Sequence, residues 1–363
     1  MATTSNTTIR TISPKSASKA IKRAISKRRP IMLWGPPGIG KSDVVAQIGK
    51  EQGREVIDIR LALWDPTDIK GMPYLNEKDG TMNWAPPSEL PHDPNSNAIV
   101  FLDEIVSAPP AVQAAAYQLI LNRRVGKYRL PEGVDIVAAG NREGDRGVTY
   151  KMPAPLASRF IHLEMAPSND DWVDWAVNNN VHPDVIGYIS FAKQDLFNFD
   201  PQSPSRSFAC PRTWNFVSDL LWDEDGDTNS LTDLVSGAIG DGLALKFIAH
   251  RKLCGKLPRA IDILEGTVTE LKNKESKEVS AMYSLTVSLC YELKELSNKK
   301  VKKWHEYTDR YFRFMMDNFP TELVIMGAKV ALTNYELDID PKKLTSFDDF
   351  FNKFGKYVFD NND

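Results

Sequence analysis

Apolar residues in the first 166 positions fall into short segments closed by glycine, proline or an acidic pair. Ile31–Trp34 is followed by a Gly-rich turn, then by a helical pattern over Lys41–Gln52 and a second strand pattern over Glu55–Leu61. Ala98–Leu102 and Val134–Ala139 are unbroken apolar runs rich in β-branched residues, the signature of strands covered on both faces. Phe160–Met165 reads as a fifth strand. Strand alternating with helix predicts an α/β domain built on a parallel sheet.

Two stretches interrupt this alternation and read as hairpins, Tyr74–Trp84 turning at Lys78-Asp79-Gly80 and Val125–Val134 turning around Pro131-Glu132-Gly133. Ahead of the first strand, Ser16–Arg29 forms a helix with Ala17, Ala20, Ile21, Ala24 and Ile25 on one side. Its other side is basic: Lys15, Lys19, Lys22, Arg23, Lys27 and Arg28. A solvated outer face explains those charges more simply than a nucleic-acid arm. Beyond Pro167 the strand signals cease, and helical patterns follow over Asp170–Asn179, Asp184–Asp195, Pro211–Trp222 and Leu231–Leu253. The remainder from Pro258 is helical and mixed in charge. Trp304, Tyr307, Tyr311, Phe312 and Phe314 could stack on bases there, but their spacing is that of a core or partner-facing stripe. Three segments result: an αβα domain over 1–166, a helical domain over 167–257 and a helical extension over 258–363.

Composition narrows the class without naming it. The 363 residues exceed one ordinary core, and 42% hydrophobic with 26% charged residues is a globular balance that leaves little room for extended disorder. A net charge of −3 provides no global basic field, so nucleic acid is a possible but not a favoured partner. Cys210, Cys254 and Cys290 are odd in number and far apart, which fits neither a disulfide framework nor a Cys-x-x-Cys metal site and suggests a reducing compartment. Met1–Thr11 is polar, and no run of about 18 apolar residues occurs, so the expectation is a cytoplasmic protein without a membrane span.

Chemistry concentrates at five places. Gly35-Pro36-Pro37-Gly38-Ile39-Gly40-Lys41-Ser42 has the Walker A spacing and lies between strand and helix, where backbone N–H groups and a helix N-terminus can wrap a polyphosphate. Lys41 would reach the β- and γ-phosphates of ATP and the Ser42 hydroxyl would hold Mg²⁺; Asp43 belongs with the nucleotide-binding set. Asp103 and Glu104 end the apolar run Ile99–Leu102: Asp103 would support Mg²⁺ and Glu104 would polarise the attacking water. Asn141 follows the next strand and can orient that water without adding charge, if its strand lies beside that of Asp103. Arg159 precedes the fifth strand, placed to enter a neighbouring molecule's site, and Arg212 opens a helix of the second domain. Asn141 and Arg159 have plainer alternatives, a turn-capping Asn and a salt-bridged helix-end arginine; Arg212 could contact the γ-phosphate from the second domain. Asp223, Asp225 and Asp227 alternate like the start of a calcium loop, but Thr228 stands where the turn glycine belongs and no Glu closes it. The five histidines show no metal-ligand spacing.

Gly35–Ser42, Phe101–Glu104, Asn141, Arg159 and Arg212 occur in the order found in AAA+ ATPases. The sequence resembles the MoxR family within them, on Trp64–Gly71, on Val112-Gln113-Ala114-Ala115 running into Arg123-Arg124-Val125, and on Pro153–Phe160. The family usually has Asp-Arg-Phe where this chain has Ser158-Arg159-Phe160. The resemblance implies a P-loop (AAA+) αβα domain with a helical lid, a homo-hexameric ring with ATP between subunits, and hairpins near Tyr74–Trp84 and Val125–Val134 as helix-2 insert and pre-sensor hairpin. It also implies a chaperone-like role on a protein client, often with a separate von Willebrand factor A domain protein. A nucleic-acid motor and a slow ATP-gated assembly switch remain open, as does whether Arg212 acts on its own subunit's ATP or a neighbour's.

Overall fold

The computed structural model describes residues 10–145, 149–223, 226–272 and 278–359; most of the polar start and Asp225 lie outside them. The chain divides into two compact units, one comprising 1–168 with 200–203, the other 169–199 with 204–363.

The first unit is built on a six-stranded parallel sheet in the order β1-β10-β2-β9-β6-β3, with β1 Thr11–Ile12, β2 Ile31–Trp34, β3 Val56–Arg60, β6 Ile99–Asp103, β9 Asp135–Gly140 and β10 Ile161–Met165. The five expected strands are present. The sixth, β1, escapes sequence patterning because two residues carry no periodicity, and it is held to β10 by backbone pairing of Thr11 with Glu164. β2, β6 and β9 are almost wholly buried, as their apolar runs require. Helices α1 Pro14–Ile25, α2 Lys41–Gln52, α3 Pro66–Lys70, α4 Pro110–Asn122 and α5 Ala154–Ala157 flank the sheet. α1 buries Ala17, Ile21, Ala24 and Ile25, and its basic side is ordinary surface, with Lys22 paired to Glu51.

The first hairpin forms as expected from β4 Met72–Asn76 and β5 Thr81–Ala85. The second turns elsewhere: β7 Arg124–Val125 and β8 Tyr128–Arg129 close at Gly126-Lys127, where Gly126 takes φ +55°. Pro131-Glu132-Gly133 is instead a separate turn feeding β9, with Val134 N–H donating to Pro131 O at 3.1 Å.

The second unit is helical: α6 Asn169–Asn178, α7 Pro183–Phe191, α8 Pro211–Trp222, α9 Thr228–Ile239, α10 Asp241–Cys254, α11 Ala260–Leu264, α12 Val279–Asn298, α13 Trp304–Asn318, α14 Thr321–Lys329 and α15 Phe347–Phe359. The stretch 231–253 is two helices, because Gly240 at φ +90° ends α9 and restarts the chain as α10. One apolar cluster gathers around Trp214, Phe247 and Val235; another around Tyr311, Phe312 and Phe350. α12 serves both, giving Val287 to the first and Leu285, Leu289 and Leu293 to the second. Tyr311, Phe312 and Phe314 are buried, so the aromatic stripe of α13 is core rather than a stacking platform.

Candidate nucleotide site

Parallel strands deliver the candidate residues to one edge of the sheet. β2 ends at Trp34 and opens into the glycine-rich turn, β6 ends at Asp103, and β9 lies between them and leads into Asn141. The turn winds tightly. A Cβ on Gly35 would stand 2.7 Å from both Ile39 Cδ1 and the Met165 carbonyl oxygen, and Gly40 takes φ +86° to start α2. Ile39 is buried and anchors the turn, while Pro36, Pro37 and Gly38 carry it over the helix start. Asp43 is exposed in the first turn of α2.

Four predicted side chains meet here. Lys41 Nζ donates to Gly35 O at 2.7 Å, Pro36 O at 2.9 Å and Asn141 Oδ1 at 3.0 Å. Ser42 Oγ donates to Asp103 Oδ2 at 3.1 Å. The oxygen donors suit Mg²⁺: two ligands at the usual distance of about 2.1 Å on adjacent corners of an octahedron lie about 3 Å apart. Glu104 adopts φ +55°, which an L-residue rarely takes, and its carboxylate stands at an exposed position while its N–H donates to Asp103 Oδ1 at 2.9 Å.

One carboxylate in this neighbourhood was not anticipated. Asp58, in β3, has its pKa raised by burial and by the nearby Asp103 charge, against the pull of Arg60. An acid inside the strand pattern Val56-Ile57-Asp58-Ile59 was the available signal.

Arg159 lies apart from this cluster. Arg159 is exposed at the opposite edge of the sheet, before β10, whose Ile161–Met165 span runs about 13 Å toward the P-loop. It lines a cavity of about 270 Å³ with Arg28, Arg29, Arg123 and Asp135. Asp135 is already claimed by Arg54 at 2.7 Å and Arg28 at 3.2 Å, which leaves the cavity predominantly cationic. Arg212 stands in the first turn of α8 in the second unit. Among the described residues no cluster of three or more His, Cys, Asp or Glu side chains is arranged to hold a metal, and no helix is long and apolar enough to cross a membrane.

Strand order and site together define a P-loop unit of the AAA+ fold. Residues 30–160 match the AAA domain of the dynein-related subfamily. Midasin from Giardia intestinalis is 25% identical over 177 residues, which is 47% of this chain and only 4% of that protein. Among solved structures, a RuvB mutant from Thermotoga maritima is 16% identical with a TM-score of 0.40, covering 84% of this chain and 88% of that one. NtrX from Brucella abortus in complex with ADP is 12% identical with a TM-score of 0.39, covering 94% and 67% respectively.

Proposed function

We propose that this chain hydrolyses ATP with Mg²⁺ in a homo-oligomeric ring and uses the cycle to remodel a protein partner, in the manner of the MoxR-like ATPases it resembles. The observation that carries the reading is the convergence of Lys41, Ser42, Asp103 and Asn141 at one sheet edge while Arg159 stands at the other.

Lys41 exchanges its turn carbonyls for the β- and γ-phosphates, and the turn's N–H groups with the α2 N-terminus bind the remaining charge. Ser42 and Asp103 would hold Mg²⁺, which would neutralise charge on the phosphate oxygens. Glu104 takes the proton of the attacking water and Asn141 fixes its direction. Arg159 is too far from its own P-loop to complete it, and an arginine presented on the far edge suits a neighbouring subunit's γ-phosphate. Residues 1–166 then act as the nucleotide-binding domain, 167–257 as a lid bearing Arg212, and 258–363 as an extension. The client is a protein, with a separate von Willebrand factor A domain protein among the candidates.

Glu104→Gln tests the reading. ATP affinity should stay within about threefold of the parent while turnover falls about 100-fold or more, and sedimentation should show an ATP-dependent assembly. Unchanged hydrolysis removes Glu104 from the mechanism, and a monomer at saturating ATP removes the ring.

A further inference from the structure

We propose that His162 is a positioning residue that ties the arginine-bearing turn to the strand feeding the P-loop, so that one subunit's nucleotide cradle sets the posture of the arginine it lends to the next. The inference rests on the trans assignment of Arg159 made above.

Trp34 is the last residue of β2 and the direct neighbour of Gly35, whose carbonyl holds Lys41. Its indole Nε1–H donates to His162 Nδ1 at 2.8 Å, and the two rings are nearly parallel at 18°. With Nδ1 accepting, the neutral imidazole carries its proton on Nε2, and Nε2–H donates to the Ala157 carbonyl at 2.8 Å. Ala157 is the last residue of α5, followed at once by Ser158 and Arg159. Its carbonyl also accepts Phe160 N–H at 3.1 Å, so this oxygen closes the turn on which Arg159 rides.

The contact has little other purpose. His162 is exposed, so it is not there to fill a core, and a four-residue helix has too few internal hydrogen bonds to fix its own end. β10 gives the link a stiff base: it pairs with β2 along its length, and its last carbonyl, Met165 O, lies where a Gly35 Cβ would collide. A shift of the Gly35 turn as Lys41 moves between carbonyls and phosphate is therefore passed through Trp34 and His162 to the Ala157 carbonyl, one residue short of the Ser158–Arg159 pair.

The test exploits the trans geometry. His162→Ala should bind ATP as the parent does but turn over about fivefold more slowly, the worth of one hydrogen bond. His162→Gln, which restores an N–H donor toward Ala157, should recover most of that loss. Mixed with Glu104→Gln subunits, whose own sites are dead but whose Arg159 turn is intact, His162→Ala subunits should regain turnover per active site. Arg159→Ala mixed with Glu104→Gln runs in parallel. If the Arg159→Ala mixture recovers and the His162→Ala mixture does not, His162 has no role in presenting the arginine and the proposal fails alone. If neither recovers, the trans assignment fails and takes the proposal with it. Trp34→Phe, which keeps an aromatic ring but has no N–H to donate, should abolish the coupling without unfolding; parent-like turnover in Trp34→Phe also overturns the relay.

Discussion

Asn141 is where charge and neutrality make opposite demands, and Asn141→Asp separates them. In the structure its Oδ1 accepts from Lys41 Nζ at 3.0 Å, alongside the Gly35 and Pro36 carbonyls. Asn141→Asp turns a charge–dipole contact into an ion pair at nearly the same distance. A unit pair at about 4 Å attracts by about 4 kcal/mol at an effective dielectric near 20, and desolvation returns most of it, leaving about 1–2 kcal/mol in a half-buried site. That energy holds Lys41 away from phosphate, so ATP affinity should fall roughly 5- to 30-fold. Repulsion between the new carboxylate and the γ-phosphate acts in the same direction. Asn141→Ala removes this acceptor and leaves Lys41 its turn carbonyls, so affinity should move by less than about fivefold while turnover falls about 100-fold for want of an oriented water. Titration with a fluorescent ATP analogue and phosphate release at saturating ATP read the two effects separately. If Asn141→Asp binds ATP as tightly as the parent, the Lys41–Asn141 contact does not compete with nucleotide and its role in the site must be abandoned.

Two predictions concern stability. Asp135, 4% exposed at the start of β9, pairs with Arg54, 12% exposed, and with Arg28, 54% exposed. Asp135→Ala and Arg54→Ala should each destabilise the first unit by about 3–5 kcal/mol, and Arg28→Ala by less than about 1 kcal/mol, in urea denaturation; equal losses from the two arginines would show that burial does not set the pair's worth. In the second unit, burial pushes the Asp309 carboxyl up, but hydrogen bonds from Ser346 N–H at 2.8 Å, Thr345 Oγ1 at 2.7 Å and Ser346 Oγ at 2.8 Å, with Arg313 nearby, hold it below the ordinary range. A lowered folded pKa stabilises above the unfolded value, and that contribution is lost as pH falls below about 4. Asp309→Asn should therefore lose about 1–3 kcal/mol at pH 7 and differ much less from the parent at pH 3, as thermal melts at the two values would show; a gap that persists in acid would assign the loss to packing.

Ile31–Trp34, Ile99–Asp103 and Asp135–Gly140 were legible in the sequence because burial on both faces leaves little room for polar residues; Val56–Arg60 and Ile161–Met165 keep exposed polar residues among their apolar ones and also lie within the expected ranges. Turns were less so. The second hairpin closes at Gly126-Lys127 rather than at the more conspicuous Pro-Glu-Gly, since cross-strand pairing of Val125 with Tyr128 decides where the chain doubles back. Likewise 231–253 kept one helical period through Gly240, where only the backbone torsion reveals the break.

The sequence by itself determined the chemistry available: a glycine-rich turn with Lys41 and Ser42, a carboxylate pair at 103 and 104, an amide at 141 and arginines at 159 and 212. Residue type and spacing suffice for that, because a phosphate cradle is a local structure made by consecutive residues. Which of these groups meet is a matter of strand order, and only the tertiary structure decided it. Placing β9 between β2 and β6 brings Asn141 onto Lys41 and leaves Ser42 against Asp103, across 100 and 61 residues of chain. The same parallel pairing sends Arg159 to the far edge and joins Trp34 to His162 across 128 residues, contacts that no local pattern encodes.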